Sequence, residues 1–316
     1  MKCKKRQSIR ASAVILLAGI LLSLASCTRA AAPGGETPSG EPSAPTVPIE
    51  HAYRETALPV NIKGAAMLAY SGGRIYFDRQ DAPGGPSVVS ASLDGSEETV
   101  VWSREAEEPY SEMMGYSLTC FTADGEGNLF TVSRYVYPDD NDPNMPAYRD
   151  ELTKTSPDGT ELYSVDLTTL LDGAPVEVFG IAADGAGNAY LLGGGGMSIY
   201  ALDGAAGALK FTVSENSPVM NITHSGDGSV IYAAMGFDPG ASDMTYSMKT
   251  IDYAAGTASE MPPNAGDTFT DFSGIFAGAG DNAFFARFAN KIYGFKSGDM
   301  TAEVIVDLLN SDIDPA

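Results

Sequence analysis

Past residue 55 the apolar residues seldom recur at helical spacing. They come in short runs with β-like alternation, separated by clusters of Gly, Asp and Asn, which is the pattern of strands joined by tight turns. The cleanest stretch reads "VFGIAA", "DGAG", "NAYLLGG", then "MSIYALD", "GAAG", "ALKFTV", which predicts four strands in under forty residues. The same grammar occurs in four further copies. These are "AMLAYSGGRIYFDR" with "SVVSASLDGSEETVVW", "LTCFTADGEGNLFTVSRY" with "ELTKTSPDGTELYSVDL", "NITHSGDGSVIYAAM" with "MKTIDYAAGTASEM", and "GIFAGAGDNAFFARF" with "KIYGFKSGDMTAEVIV". Copies of about forty to sixty residues match the period of a propeller blade, a four-stranded sheet that packs its faces on its neighbours. The expectation is an all-β chain: a β-propeller of about five four-stranded blades over residues 56–316, either a ring of five or an incomplete ring of six. The strand-like "ALPVNI" is a candidate for the outer strand that closes the last blade.

Two phrases sixty positions apart, "ADGEGNLF" and "ADGAGNAY", raise the question of a ligand loop used twice. Asp, Gly and Asn tolerate the backbone geometry of a tight hairpin connection, so the structural reading comes first, with the following aromatic pointing between blades. A phosphate cradle would open a helix, whereas both phrases run into a strand. The run "GGGG" at 193–196 fails the same test. "DDNDPN" at 139–144 offers Asp140, Asp142 and Asn144 as oxygen ligands, but Met145 stands where a calcium loop needs Gly.

The N-terminus follows a different pattern. Basic "MKCKKRQSIR" leads into apolar "ASAVILLAGILLSLA", too short for a convincing membrane span and suited to a signal-peptide core. The run ends in "LASC", and Leu24, Ala25, Ser26 and Cys27 resemble the lipobox of bacterial lipoproteins, in which the cysteine is acylated and becomes the mature N-terminus. Residues 1–26 are therefore expected to be a lipoprotein signal peptide. Residues 27–55 are expected to be a lipidated Cys27 and a disordered Pro/Gly/Ser-rich linker. The resemblance implies a cell-membrane, lipid-anchored position on the extracytoplasmic face, and a diacylated anchor holds where a single chain would be marginal.

Charge and chemistry narrow the function classes. Removing the signal takes five of the 19 Lys and Arg and none of the 41 Asp and Glu, leaving a formal charge of −27. No cationic footprint remains for nucleic acid. Cys3 leaves with the signal and Cys27 takes lipid, so Cys120 has no intramolecular disulfide partner, and its apolar run "SLTCFTAD" marks it as a buried, inert thiol. His51 and His224 are the only histidines, too few for the usual zinc site, and no "GxSxG" elbow accompanies His224. Trp102 is open to two readings, packing or a sugar platform. No catalytic set, metal site or cofactor is expected.

The order of "SPDGTELYSVDL", "VFGIAADGAGNAYLLGGGGMSIYALDGAAGALKFTV" and "KIYGFKSGDMTAEVIVDLLNSDID" resembles the N-terminal propeller of large bacterial extracellular solute-binding lipoproteins, and phrases such as "IYALDG" also resemble PQQ-like and NHL-like propellers. In those proteins a last blade and a two-lobed solute-binding domain follow, feeding an ABC transporter; this chain stops at "NSDIDPA", and a shortened gene product is one expectation. The resemblance implies a non-enzymatic recognition or interaction module, its partners the membrane, through the lipid, and ABC transporter components or a cell-surface glycan or protein. The alternative is a propeller glycosidase, lyase or lactonase using acids at the central channel. Cys27→Ser is expected to abolish incorporation of labelled palmitate and to leave the signal uncleaved, read by metabolic labelling and by a heavier band on a gel.

Overall fold

The computed structural model describes residues 60–307 except 61, 63, 80–84, 105–114, 139–145, 172–175, 226, 238–243, 262–271, 279–281, 289 and 298–301. It contains five four-stranded antiparallel sheets, each built from consecutive strands joined as a meander. Blade 1 is β1 (Leu68–Ser71), β2 (Arg74–Arg79), β3 (Ser87–Ser92) and β4 (Thr99–Ser103). Blade 2 is β5 (Gly115–Ala123), β6 (Leu129–Pro138), β7 (Pro146–Thr155) and β8 (Glu161–Asp166). Blade 3 is β9 (Gly180–Ala183), β10 (Ala189–Gly193), β11 (Ser198–Leu202) and β12 (Leu209–Ser214). Blade 4 is β13 (Val219–His224), β14 (Val230–Phe237), β15 (Met244–Asp252) and β16 (Thr257–Glu260), and blade 5 is β17 (Phe272–Ala277), β18 (Asn282–Phe288), β19 (Lys291–Lys296) and β20 (Ala302–Asp307). The chain is an all-β, five-bladed propeller. One helical turn, α1 (Leu167–Leu170), follows blade 2; Asp166 caps it and Leu167 is buried between blades 2 and 3.

The first strand of each blade lies innermost, where β1, β5, β9, β13 and β17 touch in succession. The second strand of each blade is buried on both faces over most of its length, which is why these strands read as continuous apolar runs. In β10, Ala189 and Leu191 join Phe130, Val132 and Leu152 in a core between blades 2 and 3, while Tyr190 and Leu192 join Val230, Tyr232 and Ala234 between blades 3 and 4. Blade 4 repeats the device, with Ile231 and Ala233 turned toward Phe284, Ala286 and Phe288 of blade 5. Each of the larger of these side chains contributes about 1.5–3 kcal/mol by burial, and each alanine less. The outer strands β8, β12 and β16 are largely exposed, as strands that end a sheet in solvent must be.

Four of the apolar clusters each join one blade to the next. A fifth lies on the other side of blade 1, where Ile75, Phe77, Val89 and Ala91 are covered by Val60, Ile62 and Ala65. This corrects one expectation. Val60 and Ile62, the described residues of "ALPVNI", pack on the face of blade 1, and the four strands of blade 5 among the described residues all come from residues 272–307. Trp102 is resolved in favour of packing, buried against Tyr76, Val88 and Leu118 between blades 1 and 2. Cys120 is buried in the core of blades 2 and 3, and burial pushes its thiol pKa well above the ordinary value.

The repeated turn phrases also have a structural answer. Asp184 Oδ1 accepts from the backbone N–H of Ala186 (2.9 Å) and Asn188 (2.8 Å), and its Oδ2 accepts from Asn188 Nδ2 (2.8 Å) and from the buried Tyr190 hydroxyl (2.9 Å). Asp124 makes the corresponding bonds to Glu126 and Asn128. Phe130 and Tyr190, the aromatics after each turn, point into the cores between blades as expected.

These turns hold one another. The Ser71 hydroxyl of blade 1 donates to the Asp124 carbonyl of blade 2. Lys154, buried over the Phe130 ring and 3.6 Å from Asp124 Oδ2, donates from blade 2 to the Gly204 carbonyl of blade 3 at 2.9 Å. Gly185 N–H donates to the Gly228 carbonyl of blade 4 at 2.8 Å, and the Ser225 hydroxyl reaches the Ala283 carbonyl of blade 5 at 3.0 Å. The Gly185–Gly228 contact needs both glycines, because a Cβ on Gly228 would stand 3.0 Å from the Gly185 Cα. Asp184→Ala is expected to lower stability by about 2–3 kcal/mol, because it orphans a buried tyrosine hydroxyl as well as the turn amides; a reduced urea midpoint would measure it.

Candidate functional site

The innermost strands read "LAYS", "GYSLTCFTA", "GIAA", "VMNITH" and "FSGIFA". None of these residues is Asp or Glu, so the strands nearest the axis bring no carboxylates together for general acid–base work. His224 ends β13, half-buried, and burial lowers its pKa. Among the described residues no group of three or more His, Cys, Asp or Glu is placed to hold a metal ion. The 139–144 loop, Cys27 and His51 lie outside the described residues, as do the signal and the linker. No helix among the described residues is long and apolar enough to cross a membrane.

In a meander of four strands, the first and third turns of every blade share one end of the ring. The clasped turns occupy that end. At the other end are the turns between second and third strands, and there the blades differ in height. β6 runs 10 residues, β14 runs 8 and β10 only 5, although all three start directly after equivalent turns. At about 3.3 Å per residue, the hairpin of blade 2 overtops blade 3 by about 16 Å and that of blade 4 by about 10 Å. Blade 3 is cut short by the Gly193–Gly196 turn, in which Gly194, Gly195 and Gly196 all have positive φ (61°, 70° and 82°), a run that side-chain-bearing residues would not sustain. As the sequence suggests, the turn joins two strands and opens no helix.

Blade 3 is thus the floor of a notch between taller walls. On that floor Phe179, Met197 and Met220 are 45%, 38% and 48% exposed, in a protein whose other central apolar residues are mostly buried. They are held together by the turn. A Cβ on Gly196 would touch the Phe179 ring at 3.9 Å; Val219, next to Met220, donates its N–H to the Gly196 carbonyl at 2.7 Å; and Met197 immediately follows the turn.

The blade 2 wall is braced against this floor. Arg134 binds Asp150 through two bonds of 2.8 Å and reaches Glu177, two residues before Phe179, at 2.8 Å. Asp150 also accepts from the Val178 N–H at 3.2 Å. The guanidinium lies 5.4 Å from the ring of Tyr148, which is 46% exposed. The Asp150 hydrogen bonds, then the bond to Glu177, raise the Arg134 pKa, so the cation is permanent. Behind it Arg104 of blade 1 pairs with Glu151 and lies 5.2 Å over the Tyr135 ring.

Sequence reasoning did not find Phe179, Met197, Met220, Arg134 or Tyr148. The available signal was the unequal spacing between turn phrases, which sets hairpin height and so decides which blade is recessed.

No protein-family model matches the chain, and no curated protein matches it. Among solved structures it is similar to a protein of unknown function from Bacteroides caccae, at 13% identity over 74% of this chain and 72% of that one, with a TM-score of 0.39. It is similar also to YCF48 from Cyanidioschyzon merolae, at 10% identity over 75% and 68% with a TM-score of 0.42. The WD40 domain of Neurospora crassa Pan2 is matched at 11% identity over 76% of this chain and 64% of that one, with a TM-score of 0.40. At these levels the propeller assignment stands on the strand order of this chain itself.

Proposed function

We propose that this chain is a lipid-anchored, extracytoplasmic recognition module that binds a partner without chemistry through the notch above blade 3, in association with solute uptake by an ABC transporter. The observation that carries the binding part is the floor of Phe179, Met197 and Met220, three large apolar side chains in contact with solvent on a backbone fixed by a glycine turn and an arginine brace. Apolar surface of this kind is retained where a partner covers it. Methionine adapts to varied apolar surfaces, and the Arg134–Tyr148 pair at the rim is of the residue types that dominate binding hot spots. The membrane position and the transporter association rest on the lipobox-like "LASC" and on the order of the blade segments.

The test is in-cell cross-linking of the full-length lipoprotein, with a photoreactive residue at Met197, to neighbouring membrane-associated proteins. An adduct with a transporter component that falls about tenfold or more in the Phe179→Ser, Met220→Ser double variant is the expected result, since two anchors of about 1–3 kcal/mol each are removed. Turnover of glycans or lactones by the purified protein, lost on substitution of particular Asp or Glu residues, would overturn the reading in favour of an enzyme.

A further inference from the structure

At the clasped end of the ring, opposite the notch, blades 3 and 4 form a second recess. Its walls are two turns of the same design. Asp203 caps the β11–β12 turn by accepting from the Ala205 and Ala206 N–H groups (3.0 and 3.1 Å), and Asp252 caps the β15–β16 turn by accepting from Ala255 N–H (3.0 Å). Each closes on a glycine of positive φ, Gly207 and Gly256. The recess has a volume of about 490 Å³ and is lined by Asp203, Lys210, Phe211, Tyr253 and the Ala254–Gly256 backbone. It is a shallow depression open to solvent, able to take one face of a ligand and not to enclose it.

Its chemistry is specific. The Phe211 and Tyr253 rings, both partly buried, stand 5.7 Å apart at 57° and line the recess, and Tyr253 is fixed from behind by an edge contact to buried Tyr190. The Gly256 backbone packs against Phe211, where an added Cβ would lie 3.5 Å from the ring. At the rim Lys210 Nζ and Asp203 Oδ2 are 3.2 Å apart, both partly exposed. The two charges cancel. A quaternary or primary ammonium ligand would gain from the rings but meet Lys210; a phosphate or carboxylate would gain from Lys210 but meet Asp203. A purely apolar ligand would strip water from both charges without replacing it. What satisfies all of these is a neutral molecule with one C–H face and a ring of hydroxyls that both donate and accept.

We infer that the recess between the Asp203–Ala208 and Tyr253–Gly256 turns is a binding site for a neutral pyranose, one or two units of a glycan, stacked on Phe211 and Tyr253 with its hydroxyls on Asp203 and Lys210. The inference is independent of the notch, because Phe179 and Phe211 serve opposite ends of the ring. It places a carbohydrate contact on a module whose other face is free for a protein.

The experiment uses the mature lipoprotein, full chain, in a zwitterionic detergent without sugar. Probes are oligosaccharides of neutral hexoses, of N-acetylhexosamines and of uronic acids, followed by saturation-transfer NMR and titration. Binding of a neutral oligosaccharide is expected, weakened about tenfold or more by Phe211→Ala, since a stacking face is removed. Asp203→Asn, which retains an oxygen to cap the turn and is expected to fold normally, should weaken it by a smaller factor and newly admit the uronic-acid oligomer. No transfer to any neutral oligosaccharide, binding unchanged in both variants, or a preference of the unaltered protein for uronic acids would each overturn the assignment. The Phe179→Ser, Met220→Ser variant should bind sugar normally, which separates a failure here from a failure of the notch.

Discussion

Leu191 and Leu192 are adjacent in the chain, yet one is buried against blade 2 and the other against blade 4. This two-sided burial is the constraint on which the molecule depends. A single four-stranded sheet with an apolar surface on both faces cannot persist in water, so its faces are covered by neighbouring blades or, on the far side of blade 1, by Val60, Ile62 and Ala65. Stability is therefore shared between neighbours, as in other repeat architectures, and a weakened blade weakens the seams on both sides of it.

The polar clasps add what apolar packing lacks, which is register. Apolar faces can slide by a residue at modest cost, but Ser71, Lys154, Gly185 and Ser225 each reach particular carbonyls in the next blade. With one end of the ring pinned in this way, differences in strand length accumulate at the other end. The heights of the blade 2 and blade 4 hairpins over blade 3 follow from this, and so does the exposure of Phe179 beside the glycine turn.

The fold was largely legible because each blade repeats the same local decisions. Turn residues such as Asp184 and Asn188 advertise their positions by chemistry alone, and the following aromatic has only the space between blades to enter. The inert burial of Cys120 was legible for the same reason. The role of Val60 and Ile62 was not: an apolar pair that covers a sheet face and one that adds a strand have the same composition, and the difference lies in whether blade 5 already has four strands. The candidate sites were less legible still. Phe179 looks like any core phenylalanine until the neighbouring hairpins are measured, and Phe211 and Tyr253, forty-two positions apart, meet only because blades 3 and 4 are packed.

The unequal heights have one more consequence. A broad, flat surface approaching this end of the ring would strike the blade 2 hairpin first and come to rest well above the methionines. Only something narrow and convex, a protruding loop or the corner of a domain, can descend far enough to touch them. The recessed blade therefore acts as a gauge of shape before any side chain is read.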